Sequence, residues 1–123
     1  MNYMMLTIEE KTQAVVAALE DIKANDITVI DTSRYSSLFE RMVIASAQST
    51  RQTKALADNV ADQLRLRGEN VLGVEGEDPG EWILVDLGEV VVHIMQPAVR
   101  AYYNLEELWN MQHLPRSIGH KAK

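Results

Sequence analysis

Glu81-Trp82-Ile83-Leu84-Val85-Asp86-Leu87-Gly88-Glu89-Val90-Val91-Val92-His93-Ile94-Met95 reads as two apolar strands joined at a Leu-Gly pair. Alternation puts Trp82, Leu84 and Asp86 on one face of the first strand and Glu81, Ile83 and Val85 on the other. In the second strand Val90, Val92 and Ile94 oppose Glu89, Val91, His93 and Met95. A two-residue turn at Leu87-Gly88 sets Trp82 opposite His93, Leu84 opposite Val91 and Asp86 opposite Glu89. A three-residue loop with a Gly88 bulge competes with it, because Leu87 resists the positive φ of a type I′ turn, and would shift the partners by one. In the first register one face is nearly all apolar and is expected to be core. The other mixes a tryptophan and a histidine with two carboxylates, which suits either a buried indole or an anchor for a partner.

Outward from the hairpin, the flanks predict helices and further strands. Thr7-Ile8-Glu9-Glu10 has capping-box spacing, and Ile8, Val15, Leu19 and Ile22 recur as a helical stripe ending near Asn25. Ile27-Thr28-Val29-Ile30 and Met42-Val43-Ile44-Ala45-Ser46 read as strands, with a hydroxyl-rich loop over residues 31–37 between them. Ser49-Thr50-Arg51-Gln52 repeats the capping spacing and starts a helix with the stripe Thr53, Leu56, Val60 and Leu64, closed by Gly68. Val71-Leu72-Gly73-Val74 predicts a short strand, and residues 75–80 an acidic loop broken by Pro79-Gly80. Pro97 suits the first turn of a short helix carrying Val99, Tyr102 and Tyr103, which Leu105, Leu108 and Trp109 extend or follow. The order implies one α/β domain over residues 1–109, a mixed β-sheet flanked by helices, and a flexible basic C-terminal tail over residues 110–123.

Composition narrows the function classes. A chain of 123 residues, 46% of them hydrophobic, is sized for one domain with a real core. No apolar run approaches the roughly 20 residues of a bilayer span, and no signal peptide is visible, so the expectation is a cytoplasmic protein without membrane contact. The absence of cysteine excludes disulfides, thiol nucleophiles and Cys-ligated zinc. Net charge is −6, and between Gly68 and Val99 the acids Glu69, Glu75, Glu77, Asp78, Glu81, Asp86 and Glu89 occur without any lysine or arginine. Such a segment repels nucleic-acid phosphate and attracts basic protein surfaces; equally, it suits a solvated acidic face.

Catalytic chemistry finds little support. Metal-dependent nucleotidyl transfer needs two or three converging carboxylates, and only Asp86 and Glu89 at the hairpin turn suggest such a pair. Gly73-Val74-Glu75-Gly76 lacks the lysine of a phosphate loop. His93 is a lone histidine in an apolar strand, His113 and His120 lack metal-pair spacing, and Ser33, Ser36, Ser37, Ser46 and Ser49 sit where caps and turns want hydroxyls. The expectation is no catalytic residue, no metal and no cofactor.

At Ser49-Thr50-Arg51-Gln52, Ala55-Leu56-Ala57-Asp58, Val74-Glu75-Gly76-Glu77, Trp82, Asp86-Leu87-Gly88, Val92-His93 and Leu105-Glu106-Glu107-Leu108-Trp109, the chain resembles the ribosomal silencing factor, or Iojap-like, family. The likeness runs from about Thr7 to Trp109 and departs at Ala47, where the family has glycine, and at Glu40-Arg41, where it has aspartate and an aromatic. The resemblance implies a nucleotidyltransferase-like α/β fold without catalytic residues. It also implies binding to the large ribosomal subunit through its ribosomal protein fourteen, which blocks joining of the small subunit and represses translation under nutrient limitation. The implied partner-binding residues are Trp82, His93, Glu75, Glu77, Glu81, Asp86 and Glu89, with incidental ribosomal RNA contact and a homodimer when free as further expectations. A divalent-metal nucleotidyltransferase and a homodimeric interaction module are the alternatives.

Overall fold

The computed structural model describes residues 5–113, with side chains to Trp109. In chain order the elements are α1 (Ile8–Asp21), β1 (Asn25–Asp31), β2 (Arg41–Ser46), α2 (Thr50–Leu66), β3 (Gly73–Glu75), β4 (Trp82–Asp86), β5 (Val90–Met95), α3 (Pro97–Tyr103) and α4 (Leu105–His113). The strands form one sheet in the order β1-β2-β5-β4-β3. β5 runs parallel to β2, and every other neighbouring pair is antiparallel, so the sheet is mixed as expected.

The last strand in sequence thus lies at the centre of the sheet. Its Val-Val-Val-His-Ile-Met sequence follows from that position, since a central strand is covered on both faces. On one face α1 packs over β2 and β5 and α2 over β4 and β5, enclosing Val15, Leu19, Val43, Leu56, Val60, Leu64, Ile83, Val85, Val92 and Ile94. On the other, Ile30, Met42, Ile44, Val91 and Met95 form a second cluster beneath Phe39, Trp82, Leu84, Val99, Leu105 and Trp109. The face expected to mix polar groups is therefore half covered by the carboxyl-terminal helices.

The hairpin register differs from the expected one. Trp82 pairs with Met95, Leu84 with His93 and Asp86 with Val91, a slip of two residues from a turn at Leu87-Gly88. Leu87 is buried in the main core and its N–H donates to Val90 O at 3.0 Å, so the corner falls one residue later, at Gly88-Glu89. Gly88 takes the first corner position at φ +88°, where a side chain is disfavoured, and its N–H donates to Asp86 Oδ1 at 2.9 Å. Because side chains alternate with period two, a slip of two leaves each on its expected face.

Other boundaries move by a few residues. α1 stops at Asp21 rather than near Asn25, β1 is longer than expected, and β3 begins at Gly73 rather than Val71. Thr7 and Glu10 form the reciprocal capping box. Ser49 caps α2 by accepting the Gln52 N–H, but the Gln52 side chain does not return to the cap: its Nε2 donates to Ile22 O and Lys23 O beyond α1. Asn104, left-handed at φ 49°, separates α3 from α4. α4 continues to His113, into the stretch expected to be a tail. Residues 1–4 and 114–123, which include the rest of that tail and His120, lie outside the described residues. Among the described residues no helix is long and apolar enough to cross a membrane.

Candidate partner-binding site

Trp82 on β4 and His93 on β5 are diagonal neighbours on one face of the sheet, a separation that aromatic side chains bridge. The Trp82 indole Nε1–H donates to His93 Nδ1 at 2.9 Å. The Tyr103 ring on α3 lies 4.8 Å from the indole centroid, and the Tyr102 ring 5.0 Å from that of Tyr103. Tyr103 is 54% exposed and Tyr102 81%, so the aromatic row climbs from a half-buried indole into solvent.

Beside this row lies a depression of about 270 Å³ lined by Glu75, Gly76, Trp82, Leu84 and His93. Gly76 shapes it: a Cβ there would stand 2.1 Å from Trp82 O, and its φ is +88°. Burial pushes His93 down to about 4, which keeps the imidazole neutral near pH 7. The acidic loop leaves this depression with Glu77, Asp78 and Glu81 exposed. It is tied at its far end, where the buried Thr53 hydroxyl donates to Gly80 O at 2.6 Å and Gln96 N–H donates to Glu81 O at 2.9 Å.

Of the residues singled out from sequence, the structure brings Trp82, His93 and Glu75 around one depression, with Glu77 and Glu81 on the adjoining loop. Asp86 and Glu89 lie elsewhere. Asp86 is four residues along β4 from Trp82, about 13 Å away, with Oδ1 engaged by the Gly88 N–H. Glu89 reaches Lys11 Nζ on α1 at 3.3 Å. Facing different partners, the two carboxylates do not form a metal-binding pair, and among the described residues no group of three His, Asp or Glu is placed to hold an ion.

Two polar constellations went unread in the sequence. Lys11 is 5% exposed and Glu69 7%; they pair at 2.9 Å, Lys11 also donates to Leu87 O, and the Leu6 N–H donates to Glu69 Oε2. The available signal was the position of Lys11 three residues after Ile8 and four before Val15, on the apolar stripe. Arg100 is the other centre. It grips Glu106 through two hydrogen bonds and donates to Ser46 Oγ and Thr28 Oγ1, pinning α3 and α4 to β1 and β2. Ser46 is thus a buried acceptor, not a cap, and the Arg100 guanidinium holds the Glu106 carboxyl below its ordinary range.

The family model described as "Ribosomal silencing factor during starvation" matches residues 5–122. A Chromobacterium violaceum protein named "Ribosomal silencing factor RsfS" is 48% identical over 114 residues, covering 93% of each chain. A crystal structure of a Chromobacterium violaceum protein superposes with a TM-score of 0.84 at 47% identity, covering 96% of this chain and 92% of the other. The mouse "Mitochondrial assembly of ribosomal large subunit protein 1" is 33% identical over 101 residues, 80% of this chain and 44% of its own length.

Proposed function

The chain belongs to the ribosomal silencing factor family, and from that membership we propose that it binds the large ribosomal subunit through its ribosomal protein fourteen and sterically blocks association with the small subunit. In this reading it represses translation under nutrient limitation, in the cytoplasm, as a binding protein and not an enzyme. The observation that carries it is the half-exposed row Trp82-Tyr103-Tyr102 beside the lysine- and arginine-free segment of residues 68–99. Indole and phenol rings supply area that is desolvated on binding, and the exposed carboxylates Glu75, Glu77 and Glu81 supply orientation toward a basic protein surface. The same carboxylates repel ribosomal RNA phosphate, so RNA contact is at most incidental. A large-subunit target also agrees with the name of the mouse relative.

Steric exclusion asks for no chemistry, only for a rigid domain seated where the small subunit docks. The test is co-sedimentation with isolated large subunits, isolated small subunits and joined ribosomes, with Trp82→Ala alongside. Retention on large subunits alone is expected, and the variant should lose at least about 2 kcal/mol of binding, roughly thirtyfold. Retention on neither subunit sinks the reading and leaves self-association through the aromatic row as the use of that surface.

A further inference from the structure

We infer that His93 is the positioning residue of the Trp82 anchor, its Nδ1 fixing the indole in the orientation that the partner meets. This rests on the binding reading above and adds a division of labour within the site. An indole N–H can only donate, so the Nδ1 facing it at 2.9 Å must be unprotonated. Within a neutral imidazole that places the proton on Nε2, so one hydrogen bond sets both the tryptophan's orientation and the histidine's tautomer.

The geometry around the pair supports the role. The indole is held on two sides, by His93 through its N–H and by the Tyr103 ring at 4.8 Å, and the Trp82 main chain is crowded by Gly76, where an added Cβ would stand 2.1 Å from the Trp82 carbonyl oxygen. His93 itself is framed by Leu84 on β4 and Ile44 on β2, its two cross-strand neighbours, both apolar. The titratable groups around the pair are Glu75, across the depression on β3, and Tyr103 on α3, beyond the indole. The Trp82 N–H thus has a partner inside the protein, and the partner molecule meets a ring whose rotation is already restricted. Pre-organisation of this kind raises affinity by lowering the entropy lost on binding.

The test separates position from contact. His93→Asn keeps an acceptor, Oδ1, near the place of Nδ1, whereas His93→Leu removes the acceptor and keeps apolar bulk. The Trp82 indole N–H is followed by ¹H–¹⁵N NMR, with Trp109→Phe identifying the other indole, and retention on purified large subunits is measured in parallel. In the wild type and His93→Asn the indole proton should exchange slowly and binding should be equal within about twofold. In His93→Leu the indole proton should exchange rapidly and affinity should fall roughly three- to tenfold, the reach of one neutral hydrogen bond. If His93→Leu does not fold, His93→Phe poses the same question.

An unchanged indole resonance in the acceptor-less variant overturns the inference, as does binding by that variant equal to the wild type. Equal loss of binding in His93→Asn and His93→Leu also overturns it, since that pattern marks His93 as a direct contact. If the wild type fails to bind large subunits, the functional reading falls, and the indole resonance alone decides the role of His93.

Discussion

A methyl group at position 76 would meet the Trp82 carbonyl at 2.1 Å, and the left-handed backbone there resists any side chain besides. Gly76→Ala should therefore cost about 1–3 kcal/mol of stability and displace the start of β4, weakening large-subunit binding although residue 76 offers no side chain. Chemical denaturation and co-sedimentation on the folded variant check both halves. His93 makes a second residue-level expectation. Its folded value of about 4 lies below the ordinary 6.5, so between those two values the unfolded chain takes up a proton that the folded chain refuses. Stability from this group is complete above about pH 6.5 and declines toward pH 4, by at most about 3 kcal/mol; in His93→Asn that part of the slope should vanish. That Trp82 and His93 share a face was legible in the sequence, because strand alternation survives any even slip of register. Their hydrogen bond was not, because it depends on a diagonal placement that the turn geometry decides.

At the level of elements, the hairpin turn shows what local reading omits. Leu87-Gly88 is a plausible corner by turn chemistry, but burying Leu87 in the core outweighs it and moves the corner to Gly88-Glu89. Polar contacts join α1 to that turn, since Lys11, on the apolar stripe of α1, meets Glu69, Glu89 and Leu87 O. Lys11→Met should leave Glu69 buried without its counter-charge and cost about 3–5 kcal/mol, measurable by denaturant unfolding. Lys11→Met with Glu69→Leu should recover most of that loss if the ion pair, not packing, is responsible. Arg100 performs a similar task for α3 and α4, tying both to Thr28 on the edge strand β1 and Ser46 on its neighbour β2. Arg100→Met should loosen Tyr103 from Trp82 and raise amide exchange in α3 and α4 before the rest of the molecule. Helices and strands were readable from their own periodicity and caps; these cross-links join residues 54 to 78 positions apart and leave no local pattern.

Over the whole molecule, the charge map and the sheet together orient the surface. One face of the sheet is closed by α1 and α2 and the other is half closed by α3 and α4, with the depression at Trp82 and His93 and the exposed acidic loop open to solvent. Reversing Glu77 and Glu81 to lysine should chiefly slow association with large subunits and flatten its salt dependence, whereas Glu89→Lys, which confronts Lys11, should act mainly on stability. Stopped-flow association at two ionic strengths distinguishes these. The α/β class, the mixed sheet and the acidic, base-free character were all legible from spacing and composition. The division of the seven singled-out residues into a Trp82 group and a separate turn group was not, because charge near in sequence faced different neighbours in space. The most direct test of steric exclusion is light scattering from purified large and small subunits mixed after the protein has been added to the large subunit. Exclusion predicts that the rise in scattering is suppressed in proportion to bound protein and restored by Trp82→Ala. A full rise with the protein still bound to the large subunit would contradict it.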